Sequence, residues 1–211
     1  RYKRALFVLY EDGTVGCLQQ YNQPATPVPG TGDESVLTAD ELCGAFSEAT
    51  NKGNNNPYLM HLVVRKGNDY FLYVYNARSH TTANDPLTLK TVVPIPADVG
   101  REAVVWFGAF STRYGFYVVG NRIMKFDYLN ITQFAPEEKP FRLYGDKYEI
   151  VNVFVLIAGT GLSDKDDCTV VYLYDREKKT TTINVYDTVT GEDLYTYEDI
   201  LPGRGVDFIK K

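Results

Sequence analysis

Four times along this chain a strand-like run ends on an aromatic residue, followed by Asp or Asn and then a polar turn. The four are Tyr75-Asn76 (LYVYNARSHT), Phe126-Asp127 (IMKFDYLNIT), Tyr174-Asp175 (VYLYDREKKT) and Tyr186-Asp187 (INVYDTVTGE). The pattern has a physical basis. A short carboxylate or amide accepts hydrogen bonds from backbone N–H groups two residues on and so initiates a turn, while the preceding ring packs between sheets. A second, more apolar strand sits upstream of each motif, and the larger units recur at roughly 45–50 residues, the range of propeller blades. The units read as Ala5–Val28, Asn56–Val93, Glu102–Phe134 and Glu149–Tyr197.

The remaining periodicity is also strand-like. Leu6–Tyr10 and Val15–Gln20 flank an Asp-Gly turn, and Leu59–Arg65 and Asp69–Asn76 flank Gly67-Asn68. Ala103–Ser111, Phe116–Val119 and Arg122–Asp127 form a meander; Ile150–Ala158, Thr169–Tyr174, Thr181–Tyr186 and Asp193–Tyr197 follow in succession. One helix is expected, over Leu37–Glu48 (LTADELCGAFSE), with Thr38 as N-cap and Glu41 three residues later. The connections Asn22–Gly32, Thr50–Pro57, His80–Pro86, Pro94–Gly100 and Ala135–Pro140 are evenly scattered, and none marks a domain boundary. The expected fold class is therefore all-β, with about four propeller-like blades in one domain spanning residues 1–211; a β-sandwich is the alternative.

Charge and composition exclude several functions. A formal net charge of −5, with Arg1, Lys3 and Arg4 as the only basic cluster, argues against nucleic acid as a partner. The longest apolar runs, such as Val151–Ala158, reach about half of the ~20 residues of a membrane helix. The three cysteines, Cys17, Cys43 and Cys168, form neither a disulfide framework nor a zinc site, and are expected to be free; a Cys17–Cys43 bridge is the alternative in an oxidising compartment.

Both histidines lack a neighbouring nucleophile motif: His61 alternates with apolar residues in a strand, and His80 lies in a Ser/Thr-rich loop. Gly159-Thr160-Gly161 leads into an acidic connection rather than a phosphate-binding helix. Asp164, Asp166 and Asp167 read as a solvated loop, with Ca²⁺ ligation as the alternative. Asn130-Ile131-Thr132 is an N-glycosylation pattern, and Asp187-Thr188-Val189 fits an O-glycosylation pattern of exported Bacteroidetes proteins but reads first as a β-turn. No cofactor is expected, and the chain is not expected to be an enzyme.

Aromatic platforms remain. With 17 Tyr and 11 Phe against one Trp, loop-end tyrosines are the groups able to stack on a sugar or peptide. Tyr21, Tyr114 and Tyr144 are the candidate ligand-binding residues, and Trp106 is assigned to the core.

The third and fourth units carry a family resemblance. FSTRYGFYVVGNRIMKFDYLN (Phe110–Asn130), then YEIVNVFVLIAG (Tyr148–Gly159), and the closing VVYLYDREKK, INVYDTVTG and LPGRGVDFIKK resemble the propeller repeats of the PKD-like surface lipoproteins of Bacteroidetes. The resemblance covers mainly Tyr58–Lys211, including a final strand at Gly205–Lys211; the front shows neither a lipid-bearing cysteine nor a PKD-like sandwich. It implies the C-terminal part of a longer lipoprotein at the extracellular face of the outer membrane, anchored by a lipid outside this chain. The implied partners are SusC/SusD-type importer components, with an oligosaccharide or peptide as ligand. A eukaryotic propeller scaffold for protein docking and a propeller glycoside hydrolase or lyase are the alternative functions.

Overall fold

Where the sequence repeats its strand-turn units, the chain builds a separate antiparallel meander each time. The computed structural model describes residues 6–18, 23–48, 58–77, 87–108, 114–128, 131–157 and 167–204. The first sheet contains β1 (Leu6–Leu9), β2 (Val15–Leu18) and β3 (Thr26–Pro27). The second contains β4 (Glu41–Glu48), β5 (Tyr58–Lys66), β6 (Asp69–Ala77) and β7 (Thr88–Ile95). After a short helix α1 (Ala97–Glu102) comes the third: β8 (Val105–Gly108), β9 (Tyr114–Val119), β10 (Arg122–Asp127) and β11 (Arg142–Leu143). The fourth contains β12 (Tyr148–Ile157), β13 (Asp167–Asp175), β14 (Thr180–Asp187) and β15 (Asp193–Pro202). In each sheet the strands lie side by side in chain order, so the fold is all-β and blade-like, four times over.

The chain divides into two compact units, Arg1–Arg101 with Ile131–Phe134, and Glu102–Asn130 with Ala135–Lys211. In the first, Val15, Cys17, Val28 and Leu37 pack against Met60, Leu62, Val64, Tyr73 and Tyr75, all buried. Between β3 and β4 the chain is stitched to β2: the Val15 amide donates to the Leu37 carbonyl, the Val28 amide to Val15, and the Leu37 amide to Val28. Glu34 anchors the same segment, accepting from the Thr38 amide (2.7 Å) and hydroxyl (2.6 Å) and pairing with Lys66 at 2.9 Å.

The helix expected over Leu37–Glu48 is not formed; Glu41–Glu48 is strand β4, in register with β5 from Glu41↔Arg65 to Glu48↔Leu59. Thr38 explains part of the misreading. Its side chain turns back to Glu34 rather than capping forward, and its backbone bridges Thr14. A slip in the ladder between Leu42 and Gly44 absorbs one residue, which masks the two-residue strand alternation and leaves helix-like spacing in the sequence. The helix found among the described residues, α1, begins in the expected connection Pro94–Gly100 and runs on to Glu102. Gly100 is required there, because a Cβ would collide with the Tyr70 ring.

In the second unit one face of β8–β10 carries Phe107, Phe116, Val118 and Ile123 against Ile150, Val153, Val171, Leu173 and Tyr186 of β12–β14. The other face holds Trp106 stacked on Tyr117, with ring centroids 5.0 Å apart, and Trp106 is buried as expected. Phe126 is fully buried and lies over Gly115, its direct cross-strand partner; a Cβ at Gly115 would strike the ring. Tyr174 departs from expectation: it is half-buried rather than packed into the core. None of the three cysteines forms a disulfide, as expected. Tyr21, His80, Asn130, Gly159–Gly161, Asp164, Asp166 and the strand expected at Gly205–Lys211 lie outside the described residues.

Candidate functional site

Two tyrosine-aspartate motifs frame β14 and fix the geometry of the fourth sheet. Asp175 Oδ1 accepts the amides of Glu177 (2.9 Å) and Lys178 (3.0 Å), and its carbonyl accepts the Lys179 amide. Asp187 repeats the arrangement twelve residues later: Oδ1 accepts the amides of Val189 (2.9 Å) and Thr190 (2.8 Å), and its carbonyl accepts the Gly191 amide. Both turns then need a left-handed residue, supplied by Lys179 (φ 57°) and Gly191 (φ 75°). Lys147 closes the first carboxylate at 2.9 Å and, with the loop amides, holds the Asp175 carboxyl down at about 2.

The second turn also decides the fate of Thr188. It is 1% exposed, and its hydroxyl lies 2.8 Å from that of Thr169, so Asp187-Thr188-Val189 is a structural turn whose threonine is closed to a glycan. Asp167, the described member of the acidic trio, is the buried first residue of β13 rather than a solvated loop residue.

Side-chain parity then gives the fourth sheet two unlike faces, since residues directly paired across antiparallel strands share a face. The face bearing Thr169, Val171, Leu173 and Tyr186 is covered by the third sheet and latched to it by Arg142. That guanidinium donates to Asp193 Oδ1 (2.6 Å), Asn184 Oδ1 (3.3 Å) and the Gly191 carbonyl, and sits 4.9 Å from the Tyr186 ring centroid. Burial pushes Asp193 upward, but hydrogen bonds from Asn184 and Arg142 outweigh it and hold the carboxyl below its usual value.

Among the described residues, no sheet of the second unit covers the opposite face. Its rows, read across β12, β13, β14 and β15, are Phe154–Val170–Val185–Tyr195 and Asn152–Tyr172–Ile183–Tyr197. The centre of the first row, Val170 and Val185, is buried with Cys168 beneath the half-buried Leu156, Tyr172, Ile183 and Leu194. The flanks are not: Phe154 is 38% exposed, Tyr195 45% and Tyr197 48%. Phe154 and Tyr172 have ring centroids 6.0 Å apart. At one end Arg204 grips Glu149 through two hydrogen bonds (3.0 and 2.6 Å) and lies over Tyr174. The result is an exposed aromatic surface on paired strands, suited to stacking against an apolar or ring-shaped partner.

The tyrosines singled out from sequence occupy other places. Tyr144 is half-buried, its hydroxyl donates to Asn184 Oδ1 at 2.7 Å, and Arg142 lies 5.4 Å from its ring; burial pushes that hydroxyl up to about 12. Tyr114 is half-buried at the head of β9, with the Lys125 ammonium 4.4 Å from its ring centre and Glu137 pairing that lysine at 2.9 Å. The structure does not bring these two together with the open face. The signal that could have found Tyr195 and Tyr197 is their alternation in Leu194-Tyr-Thr-Tyr-Glu198, an aromatic pair on one side of a strand with Leu, Thr and Glu as neighbours.

His61, read from the sequence as a strand histidine without a nucleophile beside it, is fully buried in β5 and stacked on Phe46 with centroids 4.6 Å apart. Burial lowers it to about 3, so its imidazole is neutral at physiological pH. No family model matches the chain, and no curated protein matches it.

Proposed function

We propose that this chain is a non-catalytic binding module whose recognition surface is the open aromatic face of β12–β15. The observation that carries the reading is the asymmetry of that sheet: one face is sealed by the third sheet, while the other presents Phe154, Tyr195 and Tyr197 to solvent. Aromatic rings held on paired strands lose little conformational freedom when a ligand stacks on them, which favours binding, while an open surface buries little of the ligand, so capture is weak and reversible. The resemblance of Phe110–Asn130 and Tyr148–Gly159 to Bacteroidetes surface lipoproteins supports the finer form of the proposal. In that form the module is an accessory component of an outer-membrane SusC/SusD-type uptake complex, displayed on the extracellular face by a lipid outside this chain, with a glycan or peptide as ligand.

The test is titration of the chain against oligosaccharide and peptide pools, beside a pull-down from solubilised outer membranes. Tyr195→Ala with Tyr197→Ala should weaken binding about tenfold or more, at roughly 1 kcal/mol per ring, with the melting temperature unchanged. Binding that survives this double substitution but is lost on changing Tyr114 would place the recognition surface elsewhere. Turnover of a bound substrate would replace the module with an enzyme.

A further inference from the structure

Strand β15 is the last strand of its sheet and pairs, among the described residues, with β14 alone. It is ten residues long, almost wholly exposed, and rich in apolar and aromatic side chains (DLYTYEDILP). A long apolar edge of this kind is a template for pairing with a second copy of the same chain. Yet its ladder is interrupted. Ile183 pairs with Tyr197 and Thr181 with Leu201, so Glu198, Asp199 and Ile200 together stand opposite the single residue Thr182.

The interruption is held shut at three points. Asp199 adopts a left-handed backbone (φ 50°), a conformation that lifts the strand out of line. Its amide donates to Thr182 Oγ1 (3.2 Å), its Oδ1 accepts the Thr180 hydroxyl (2.6 Å), and its Oδ2 pairs with Lys178 (2.8 Å). The backbone amide and both carboxylate oxygens are thus engaged with β14 or the turn before it. Lys178 comes from the Tyr-Asp turn at Asp175, so the same turn that joins β13 to β14 also supplies the lysine of the clamp.

We propose that this clamped bulge is an edge guard: it breaks the straight run of β15 and keeps a second copy of the chain from adding to the fourth sheet edge to edge. It leaves the aromatic face open while closing the strand edge beside it. The inference does not rest on what the face binds.

Deleting Glu198 and Asp199 makes the guard testable, because Ile200 then falls opposite Thr182 and the ladder runs unbroken from Tyr195 to Pro202, leaving only the one-residue slip at Leu194. Light scattering across a wide range of concentration should show the parent chain at the mass of one copy and the deletion variant shifting to dimers or larger assemblies. Amides of β15 should gain protection from hydrogen exchange as those assemblies form. Asp199→Val and Lys178→Ala, which keep the chain length, should give the same shift to a smaller degree; they decide the matter if the deletion variant does not fold. Folded variants that all keep the parent's mass would overturn the proposal. A parent chain whose own β15 amides become protected with rising concentration would overturn it as well.

Discussion

Tyr174-Asp175 closes β13 and Tyr186-Asp187 closes the next strand, β14, and each opens a turn in which the aspartate holds the same three backbone amides. Their tyrosines nevertheless end in different surroundings. Tyr186 is fully buried among Phe141, Val171 and Leu173, under Arg142, whereas Tyr174 is half-buried beneath Arg204. Tyr186 pairs across the ladder with Thr169, and Tyr174 with Thr181, which places the two rings on opposite faces of the sheet. The third sheet covers one of those faces. The motif therefore encodes a turn; the value of its aromatic residue depends on which face has a partner.

The comparison is sharpest in stability. Tyr186→Ala should cost about 3–5 kcal/mol in urea unfolding, and Phe126→Ala, buried over Gly115, a similar amount. Tyr174→Ala should cost only about 1 kcal/mol, because solvent already reaches the ring. Equal losses at Tyr174 and Tyr186 would break the distinction between the faces.

Removing the aspartates should bring the two turns back together. Asp187→Ala and Asp175→Ala each strip the acceptor from two loop amides, a loss of about 1–2 kcal/mol. The Asp175 turn also carries an acid signature. The Asp175 carboxyl is lowered from 3.8 to about 2, so its contribution is present in full above pH 3.8 and disappears as pH falls through 2. Asp175→Asn should flatten that part of the stability curve; an unchanged acid limb would mean that Lys147 does not hold the carboxylate in solution.

The smallest effects come from the left-handed residue closing each turn. Gly191→Ala should destabilise by about 1 kcal/mol, since φ is 75° and the new Cβ would meet Phe141 at 3.2 Å. Lys179→Gly should raise stability by about 0.5 kcal/mol, the relief of a left-handed lysine being partly offset by glycine's greater freedom when unfolded. Differential scanning calorimetry of the pair reads both signs in one experiment.

Much of the fold was legible because strands β5, β6, β10, β13 and β14 combine β-branched and aromatic residues with turn residues at both ends. Strand β4 was not. Its ladder slip near Gly44 and the Thr38–Glu41 spacing imitate a helix start, and the strand exists because β5 offers it a ladder from Glu41 to Glu48. Strands β3 and β11 are two residues each, too short to leave a periodic trace. At the candidate site, sequence pointed to loop-end tyrosines. Tyr144, however, is occupied by Asn184 and Arg142, partners forty and two residues away along the chain. The exposed rings came from the middle of an edge strand.

By itself, then, the order of residues determined the local features: the tight hairpins of β1–β2, β5–β6, β9–β10 and β13–β14, the Asp-capped turns with a left-handed residue four positions on, and the recurrence of the meander. These depend on dihedral preferences and on hydrogen bonds a few residues apart, which neighbouring side chains specify. Only the tertiary structure decided which tyrosine is core and which is surface, that Leu37–Glu48 extends rather than coils, and that Thr188 is sealed. Each of those outcomes depends on what a distant strand places opposite the residue, and a one-residue change of ladder register would move its side chain to the other face.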